Sequence, residues 1–472
     1  MKREKVVLYN PRADFHTLPL ALLSLASALD RKRYQVAIVD GRLEEGAPEQ
    51  VARVVRETED ALCLGVTVLT GKPLGDALRV TRAVKAARPS CPVVWGGWHP
   101  SLFPAETLVE AGIDATVQGQ GEITFAEILD RLEGGAPLDG VPGCTVRRGA
   151  DVVVNPPRPT ADVNGFPPLD YDLVDVERYF ERKGQRQLDY VTSQGCRFRC
   201  TFCADPTVYR RAWFGLHPER VGSELERLYR RLPFDDVAFQ DETFFTQGNR
   251  VAAIAAEIRK RGLDFRWMAT LRADQGARLE EKVLAECRAA GLRRVMIGLE
   301  SGSQSMLDWM KKDVTLDQVF VTAEKCRRLG IGALFNLIVG FPHEPPESVE
   351  ETLRAAKRLR AMGPDFQVAF FYYKPYPGTE ITDALAKEGH PLPRRLEEWA
   401  EVENVATSPW VDSGKRALIE RFKFYQQVAW ARPTPARAPL QALARWRCRR
   451  DFYRYPIEKT MVEWLRPLAP QG

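Results

Sequence analysis

The stretch from Val191 to Pro206 reads V-T-S-Q-G-C-R-F-R-C-T-F-C-A-D-P and continues a short run that predicts a strand. It sets three cysteines, Cys196, Cys200 and Cys203, in the spacing C-x3-C-x2-C. Three thiolates this close together can hold three irons of a cubane iron–sulfur cluster, whose sites take four ligands. One iron is then left open for an exogenous ligand, and an open metal position is typical of catalytic sites. The spacing therefore predicts a catalytic iron–sulfur centre.

Zinc is the alternative occupant of these cysteines, because thiolates bind it well. Structural zinc sites usually pair two arms of the C-x2-C or Cys/His type, and this sequence offers no second arm. The odd total of nine cysteines argues against a disulfide framework. We interpret the remaining six as buried, reduced thiols: Cys63, Cys91, Cys144, Cys287, Cys326 and Cys448.

The overall composition is that of a globular protein, and its 472 residues allow about three domains at ~150 residues each. Hydrophobic residues make up 44% and charged residues 28%, which excludes disorder as the main state. The net charge of +5 is too mild to indicate nucleic-acid binding, which usually shows as a concentrated basic stripe. No apolar run reaches the ~18 residues of a membrane span, and the basic start leads into a strand pattern. We therefore expect a cytoplasmic protein that binds no nucleic acid.

Residues 1–135 alternate short β-branched runs with amphipathic stretches. Strands are predicted at Lys5–Tyr9, Gln35–Val39, Ala61–Thr67, Val93–Trp95 and Asp114–Val117. Helices are predicted at Leu18–Asp30, Pro48–Thr58, Gly71–Ala87 and Ala105–Ala111. This alternation predicts an α/β fold, a doubly wound parallel sheet with helices on both faces. Ligands of such sheets bind beyond the carboxyl ends of the strands, so the loops that follow the strands matter most.

A linker rich in proline and glycine is predicted at 136–185, with a small hairpin at Cys144–Val154. A second βα series is predicted over 186–385. Its strands are predicted at Leu188–Thr192, Asp236–Gln240, Trp267–Thr270, Arg294–Ile297, Gly332–Val339 and Phe366–Phe371. Its helices are predicted at Pro218–Arg231, Asn249–Arg261, Leu279–Ala290, Gln304–Met310, Leu316–Leu329 and Pro346–Met362. Six repeats predict a partial (β/α)6 barrel, since a complete barrel has eight, with catalytic residues at the carboxyl ends of its strands.

The cysteine motif after the first strand of a βα partial barrel is the signature of radical S-adenosylmethionine (SAM) enzymes, and this chain resembles that family. Phe202, an aromatic residue before the third cysteine, is typical of it. The resemblance implies that the three cysteines hold a [4Fe-4S] cluster and that SAM binds the fourth iron through its amino and carboxylate groups. It also implies that one electron, from a donor such as flavodoxin or ferredoxin, cleaves SAM to a 5′-deoxyadenosyl radical.

Charged residues follow the next strands at the positions where this family binds SAM. Asp241 and Glu242 follow the second strand, where a carboxylate suits the SAM ammonium group because an ammonium only donates hydrogen bonds. Arg272 follows the third strand, and its guanidinium suits the SAM carboxylate. Glu300 and Ser301 follow the fourth strand and match the segment that binds the ribose and methionine parts. Taken singly, each charge would be read as a solvated loop residue.

Residues 1–135 resemble the cobalamin-binding domain that one branch of this family carries. The resemblance lies in three loops after strands, where glycines let the backbone approach a large flat ligand and threonine hydroxyls can bond its nucleotide tail. No G-x-G-x-x-G follows the first strand, which removes the main evidence for a dinucleotide. The predicted cobalamin-binding residues are Thr67, Val68, Leu69, Thr70, Gly71, Gly96, Gly97, Trp98, His99, Gln118, Gly119, Gly121 and Glu122.

Two alternatives remain for the axial position of the cobalt: ligation by His16, or no histidine ligand. Domains that use histidine carry D-x-H-x-x-G after the first strand, and here Asp14 and His16 are followed by Pro19 in place of the glycine. Neutral imidazole is a good cobalt ligand, but the missing glycine argues against His16. The resemblance argues against it as well, because this branch usually leaves the cobalt without a histidine ligand. His99 is interpreted as a pocket contact and not as a metal ligand.

Both domains together imply methylation of an unactivated carbon in a small-molecule or lipid-like substrate. By this resemblance one SAM methylates the cobalamin, a second supplies the radical, and the substrate radical takes the methyl group. Ring formation or oxidation with the same cofactors is the second interpretation. Methylthiolation of transfer RNA would need a second cysteine trio, which Cys63 and Cys91 do not supply. A non-enzymatic metal-binding interaction protein is the alternative of a different class.

The tail at 386–472 is predicted to form a helical C-terminal subdomain. It holds five of the ten tryptophans, and residues 431–454 contain seven arginines against one acid. One interpretation is a helical cap that helps to shape the substrate site. The other is an interfacial helix on anionic lipid, which would give the protein a peripheral membrane contact.

Overall fold

The structure is a computed structural model that describes residues 3–44, 46–110, 112–402, 410–432 and 434–465. The chain forms two compact units. The first comprises residues 1–244, 257–265 and 374–405, and the second comprises residues 245–256, 266–373 and 406–472. Parts of the predicted tail, residues 403–409, 433 and 466–472, lie outside the described residues, as does Ala111 at the end of a predicted helix.

Fifteen strands are found in the described part of the chain: β1 (Glu4–Asn10), β2 (Tyr34–Asp40), β3 (Ala61–Thr67), β4 (Val93–Gly96), β5 (Ala115–Val117), β6 (Cys144–Arg148), β7 (Asp151–Val154), β8 (Gln187–Tyr190), β9 (Ser193–Gly195), β10 (Trp213–Gly215), β11 (Asp236–Phe239), β12 (Arg266–Thr270), β13 (Leu292–Glu300), β14 (Gly332–Val339) and β15 (Phe366–Tyr372).

The α-helices of the described residues are α1 (Leu20–Ala28), α2 (Ala47–Glu57), α3 (Lys72–Ala87), α4 (Trp98–Leu102), α5 (Pro104–Thr107), α6 (Glu122–Glu133), α7 (Val176–Lys183), α8 (Asp205–Val208), α9 (Pro218–Arg231), α10 (Gly248–Lys260), α11 (Ala273–Arg278), α12 (Glu281–Ala289), α13 (Gln304–Trp309), α14 (Leu316–Arg328), α15 (Pro346–Arg360), α16 (Glu380–Lys387), α17 (Leu396–Glu401), α18 (Ser413–Ala429), α19 (Ala438–Arg450) and α20 (Ile457–Leu465).

The first unit is built on a seven-stranded sheet in the order β2-β1-β3-β4-β5-β6-β7. Strands β1 to β5 pair in parallel, and each lies within one residue of its predicted bounds. Successive residues of β1 belong to two different core clusters, Val7 to one and Val6 and Leu8 to the other. Because neighbouring side chains of a strand point to opposite faces, both faces of this sheet are covered. The predicted doubly wound sheet is confirmed.

The predicted linker at 136–185 contributes to this sheet. The hairpin predicted at Cys144–Val154 is present as β6 and β7, and β6 pairs antiparallel with β5. Helix α7 follows within the same stretch and begins at Asp175, whose carboxylate accepts a hydrogen bond from the backbone of Arg178. The domain boundaries themselves stay predictions.

The second βα series has the predicted strands and helices. In the first unit β8 pairs in parallel with β11, and in the second unit β12 to β15 pair in parallel in chain order. Strand β13 is longer than predicted and runs to Glu300, which has a φ of +65°. The short strands β9 and β10 and the short helices α8 and α11 were not predicted. Three to six residues carry too little periodicity to be recognised.

The predicted tail is divided between the two units. Helix α17 belongs to the first unit, where Leu396 and Trp399 join the core cluster that also contains Trp95. Helices α18 to α20 belong to the second unit, where Phe422 of α18 packs edge-to-face on Phe370 of β15 at 5.6 Å. No helix of the described residues has the length and apolarity needed to cross a membrane.

Candidate functional site

The cysteine loop starts from two short strands that pair antiparallel, β9 and β10. Gly195, the last residue of β9, pairs with Trp213 and has a φ of +92°. A Cβ atom there would lie 2.2 Å from the carbonyl oxygen of Ala212, so only glycine fits this backbone. Cys196 follows directly, and the start of its loop is thereby fixed.

The three thiols are shielded from solvent. Cys196 and Cys200 are buried, and Cys203 is partly buried. Asp205 accepts hydrogen bonds from the thiols of Cys203 and Cys196. Burial, together with the charge of Asp205, raises the pKa of the Cys203 thiol well above its usual value. A metal that binds here must displace thiol protons, as cluster assembly does, and the donor set of three sulfurs fits an iron–sulfur cluster.

Asp241, a predicted SAM contact, is tied to the end of strand β8. Its buried carboxylate accepts hydrogen bonds from the backbone N–H of Thr192 at 3.0 Å and from the Thr192 hydroxyl at 2.6 Å. The hydroxyl of Ser193 donates a further bond to it. These bonds make Asp241 an anchor of the segment that leads into the cysteine loop.

Glu242, the second predicted carboxylate, lies between the cysteine loop and helix α8. Its Oε2 accepts the backbone N–H of Gly195 at 3.2 Å, and its Oε1 accepts the hydroxyl of Tyr209 at 3.0 Å. Burial raises the pKa of Glu242 to about 8, with the charge of Asp205 as the next cause.

In the second unit, Arg272 and Glu300 belong to one buried charge network. Nε of Arg272 donates to Asp274 at 3.0 Å, and a terminal nitrogen donates to the carbonyl of Lys312 at 2.6 Å. The ammonium group of Lys312 in turn donates to Glu300 at 2.8 Å. The positive φ of Glu300 is uncommon for a non-glycine residue and is found most often at functional sites.

The remaining predicted SAM contacts, Ser301 and Phe202, differ in exposure. Ser301 is fully buried, and its hydroxyl lies 3.2 Å from the hydroxyl of Thr352 and accepts the backbone N–H of Ser303 at 3.1 Å. It stabilises the turn after β13. Phe202 is partly exposed in the cysteine loop. The SAM contacts of all these residues stay predictions.

A cavity of about 460 Å³ opens at the carboxyl edge of the seven-stranded sheet. Its walls come from the loops after β1, β3, β4 and β5, from helix α1, and from the segments around β8, α8 and β11. The predicted cobalamin-binding residues that line it are Thr67, Leu69, Gly96, Gly97, Trp98, Gly119, Gly121 and Glu122. Backbone and apolar side chains dominate the wall on the sheet side, which suits a large flat ligand.

A buried polar atom inside this cavity supports the fit of cobalamin. Oε1 of Glu122 accepts the hydroxyl of Ser24 at 2.5 Å, but Oε2 is buried without a hydrogen-bond partner among the described residues. Burial raises the pKa of this carboxyl group. Buried polar atoms are normally satisfied, so the free oxygen indicates a ligand, and the amide groups around a corrin ring are suitable donors.

Five predicted cobalamin contacts are not among the residues that line the cavity: Val68, Thr70, Gly71, His99 and Gln118. His99 is fully buried, and its Nδ1 lies 3.0 Å from the hydroxyl of Thr70. Gln118 donates to the carbonyl of Thr116 at 3.0 Å. The backbone N–H of Gly71 donates to the carbonyl of Trp399 at 3.2 Å. Four of the five therefore bond to other protein groups, and the cobalamin contacts of all five stay predictions.

His16 does not line the cavity, although Phe15 and Thr17 on either side of it do. Its Nδ1 is buried, and within the described part of the chain it has no hydrogen-bond partner. The structure thus gives no support to His16 as the cobalt ligand, and the question of axial ligation stays open.

The environment of His99 makes stability depend on pH. Burial lowers the pKa of His99 to about 3, against about 6.5 in an unfolded chain. Between these values the unfolded chain binds a proton that the folded chain does not, so acidification favours unfolding. We expect His99 to remove about 2 kcal/mol of unfolding free energy between pH 7 and pH 5.

Urea unfolding at pH 7 and at pH 5 measures this loss. Hydrogen exchange of the backbone amides in β3 and β4 follows it at these strands. His99→Gln is the matched control, because it keeps a polar side chain that does not titrate. Its unfolding free energy should change less between the two pH values. An equal pH dependence in the variant and the wild type would contradict the assignment.

Gly97 is the second position where the backbone requires glycine. Its φ is +92°, and a Cβ atom would lie 2.9 Å from the backbone nitrogen of Val68. We expect Gly97→Ala to lower cobalamin retention at least about tenfold, because the strain of order 1–3 kcal/mol displaces the loop that lines the cavity. The amount of cobalt per chain after gel filtration measures the retention of cobalamin. Gly140→Ala, with a φ of +81° and nothing within 4 Å, is the control and should retain cobalamin.

Several residues of these sites carry little or no signal in the sequence. Asp205 and Tyr209 gain their roles from a short helix that was not predicted, and Lys312 pairs with Glu300 from the far side of helix α13. Trp399 reaches the loops of the first sheet although it lies just over 300 residues downstream of the end of β4. A weak signal exists for Asp205, because it follows the third cysteine by only two residues.

Two family models match this chain. The radical SAM superfamily matches residues 190–356, and the B12 binding domain matches residues 4–129. An uncharacterized methyltransferase of Pyrococcus horikoshii is 33% identical over 77% of this chain and 77% of its own length. The chain belongs to the cobalamin-binding radical SAM enzymes. The zinc and non-enzymatic alternatives are thereby set aside, and a [4Fe-4S] cluster, SAM and cobalamin are the cofactors of this enzyme family.

Other relatives in this family carry out different reactions. The anaerobic magnesium-protoporphyrin IX monomethyl ester cyclase of Rubrivivax gelatinosus is 26% identical over 74% of this chain and 63% of its own length. The hopanoid C-3 methylase of Methylococcus capsulatus is 26% identical over 77% of this chain and 67% of its own length.

The fold has solved counterparts. The radical SAM methyltransferase TsrM from Kitasatospora setae, whose structure contains cobalamin and a [4Fe-4S] cluster, superposes with a TM-score of 0.71 at 20% identity. The match covers 92% of this chain and 90% of that one. It confirms the predicted fold class, a cobalamin-binding α/β domain followed by a radical SAM barrel.

Proposed function

We propose that this enzyme methylates an unactivated carbon of a small-molecule or lipid-like substrate. The observation that carries the proposal is the 33% identity to a methyltransferase over three quarters of both chains. The cavity in the first unit supports it, because a methylating member must hold cobalamin beside the loop that carries the cluster. Glu242 and Tyr209 line this cavity, and Glu242 also bonds the residue before Cys196.

The residues that hold the cofactors follow from the geometry. Cys196, Cys200 and Cys203 would bind three irons, and Gly195 sets the direction of their loop. The cavity residues from Thr67 to Glu122 would hold the corrin, with the free oxygen of Glu122 accepting from an amide. When bound, the cluster and SAM supply a carbon-centred radical, and cobalamin carries the methyl group.

We assign SAM recognition to Glu242, Arg272 and Glu300. A carboxylate has about four acceptor positions, so Glu242 can hold an ammonium group in addition to its two bonds. Asp241 is committed to Thr192 and Ser193 and therefore serves to position its neighbour. The guanidinium of Arg272, held by Asp274 and by the carbonyl of Lys312, is the charge that suits the SAM carboxylate.

Label transfer from SAM tests the proposal. The anaerobic enzyme is supplied with hydroxocobalamin, a low-potential reductant and SAM with a deuterated methyl group. We expect the label in the cobalamin recovered from the protein, and 5′-deoxyadenosine in the same reaction. Absence of label from the corrin, in protein that contains both iron and cobalt, would refute methyl transfer.

Ring formation or oxidation is the second candidate, because the magnesium-protoporphyrin ester cyclases are also relatives. A methylated product gains one methylene in mass, whereas a cyclised or oxidised product loses hydrogens or gains oxygen. Mass spectrometry of the products that form when the enzyme consumes metabolites of a cell extract distinguishes the two reactions.

We place the enzyme in the cytoplasm, with a flavodoxin or ferredoxin as the one-electron donor and without nucleic acid as a partner. All nine cysteines are present as thiols, which is compatible with a reducing compartment. Reduction of the enzyme by purified flavodoxin, followed by the release of 5′-deoxyadenosine, tests the donor class.

The tail supports a contact with anionic lipid. Tyr455, Ile457 and Met461 are 73%, 65% and 59% exposed. The exposed guanidinium groups nearby are those of Arg449, Arg450 and Arg454, whereas Arg447 is buried and bonded to Glu458. An exposed apolar patch with a basic rim is typical of proteins that bind membrane surfaces.

We expect the protein to sediment with phosphatidylserine vesicles and not with phosphatidylcholine vesicles. The triple variant Tyr455→Ser, Ile457→Ser, Met461→Ser should remain in the supernatant. The triple variant Val109→Ser, Val152→Ser, Val154→Ser is the control, because these valines are exposed apolar residues far along the chain from the tail. Equal sedimentation of both variants would contradict a lipid contact through the tail.

A further inference from the structure

The loops that line the cobalamin cavity contact the segment around the cysteines directly. The ring of Trp98 packs edge-to-face on Tyr209 with centroids 5.8 Å apart. A Cβ atom on Gly119 would lie 3.2 Å from the carbonyl oxygen of Val208. Val208 and Tyr209 follow Cys203 by five and six residues, so helix α8 connects the third cysteine to the cavity wall.

A second set of contacts reaches the other end of the cysteine loop. Nε2 of Gln120, in the loop after β5, donates to Oε1 of Gln194 at 2.7 Å. Gln194 precedes Gly195, whose backbone N–H donates to Glu242. Tyr209 donates to the same carboxylate, so Glu242 connects both ends of the loop.

The backbone after Tyr209 is constrained as well. Arg210 and Arg211 have φ values of 50° and 61°, which is uncommon for non-glycine residues and indicates strain. Nε of Arg211 donates to the carbonyl of Arg197 inside the cysteine loop at 3.1 Å. The segment after Tyr209 is thus bonded back to the cysteine loop, which restricts the position of Tyr209.

We infer that Tyr209 is a positioning residue that sets the cobalamin relative to the iron–sulfur cluster. Its ring fixes the corrin-binding loop through Trp98, and its hydroxyl fixes the cysteine loop through Glu242. The inference rests on the proposed function, because it requires that both cofactors are bound in the first unit. Tyr209 lines the cobalamin cavity, but its positioning role acts through the two loops that its ring and its hydroxyl contact.

The magnetic coupling between the two cofactors tests this role. In holoenzyme with a reduced cluster and cob(II)alamin, pulsed electron paramagnetic resonance gives the distribution of distances between the two spins. We expect Tyr209→Phe to keep wild-type iron, sulfide and cobalt and to shift and broaden this distribution. Tyr209→Leu, which also loses the ring contact, should broaden it further. Tyr229→Phe removes a hydroxyl elsewhere, bonded to the carbonyl of Asp264, and should match the wild type.

A wild-type distribution in Tyr209→Phe and Tyr209→Leu would overturn the inference. So would loss of either cofactor from Tyr209→Phe, because the hydroxyl would then be needed for binding and not for placement. Wild-type protein that lacks cobalt or iron would instead contradict the proposed function. The two failures are therefore distinguishable.

Discussion

Gly195→Ala is expected to abolish the iron–sulfur cluster. The φ of +92° alone strains an alanine, and its Cβ would lie 2.2 Å from the carbonyl oxygen of Ala212. That oxygen belongs to the backbone, so it moves only if the pairing of β9 with β10 breaks. The cost exceeds the 1–3 kcal/mol of a strained backbone position, and we expect iron per chain to fall at least about tenfold.

Gly149→Ala is the matched control for this prediction. Gly149 lies in the turn between β6 and β7 and has a φ of +60°, but nothing lies within 4 Å of an added Cβ. Gly149→Ala therefore places an alanine at a positive φ without a steric clash between its Cβ and the backbone. Iron and sulfide are measured after anaerobic reconstitution. A Gly195→Ala protein with as much cluster as Gly149→Ala would show that the β9–β10 pairing does not hold the cysteine loop.

Trp399→Ala is expected to destabilise the cobalamin-binding sheet, although the residue lies far outside that part of the sequence. Trp399 is 2% exposed, packs on Phe103 and His99, and belongs to the core cluster of Trp95. Replacing a buried tryptophan by alanine costs about 3–5 kcal/mol. The backbone carbonyl of residue 399 accepts the N–H of Gly71, so a displacement of α17 caused by loss of the side chain also reaches the loop after β3, and cobalamin retention should fall.

Trp446→Ala is the control, because Trp446 is 48% exposed on α19 and its loss should cost little. Hydrogen exchange of β3 and β4 and cobalt per chain are measured in both variants. Faster exchange in Trp399→Ala alone is the expected result. Equal exchange in both variants would show that α17 is not part of the core of this sheet.

The sequence predicted those parts of the molecule that depend on local patterns. Strand β3 at Ala61–Thr67 and helix α9 at Pro218–Arg231 follow from hydrophobic periodicity, and both have their predicted bounds. The cysteine motif predicted the cluster because a cluster needs several thiolates close together, and the spacing of the three cysteines provides them. Gly97 and Gly119 were predicted as ligand contacts from the loops after parallel strands, and both line the cavity, while their contact with cobalamin stays a prediction.

The contacts made over long sequence separations could not be predicted. His99 stands in a predicted binding loop, but its side chain turns inward because Trp399 and Phe103 form an apolar pocket around it. The hydroxyl of Thr70 then lies 3.0 Å from Nδ1 of His99. The need for glycine at 195 depends on Ala212, which follows an unpredicted helix. Each of these roles is set by a partner whose position only the fold determines.

The central claim is tested most directly by elemental analysis of protein that is purified anaerobically from cells supplied with cobalamin. A cobalamin-dependent radical SAM enzyme should contain about four iron and four sulfide per chain, with about one cobalt. Replacement of the three cysteines by alanine should remove the iron and sulfide and leave the cobalt. Zinc in place of iron, or iron without cobalt under cobalamin supply, would contradict the account.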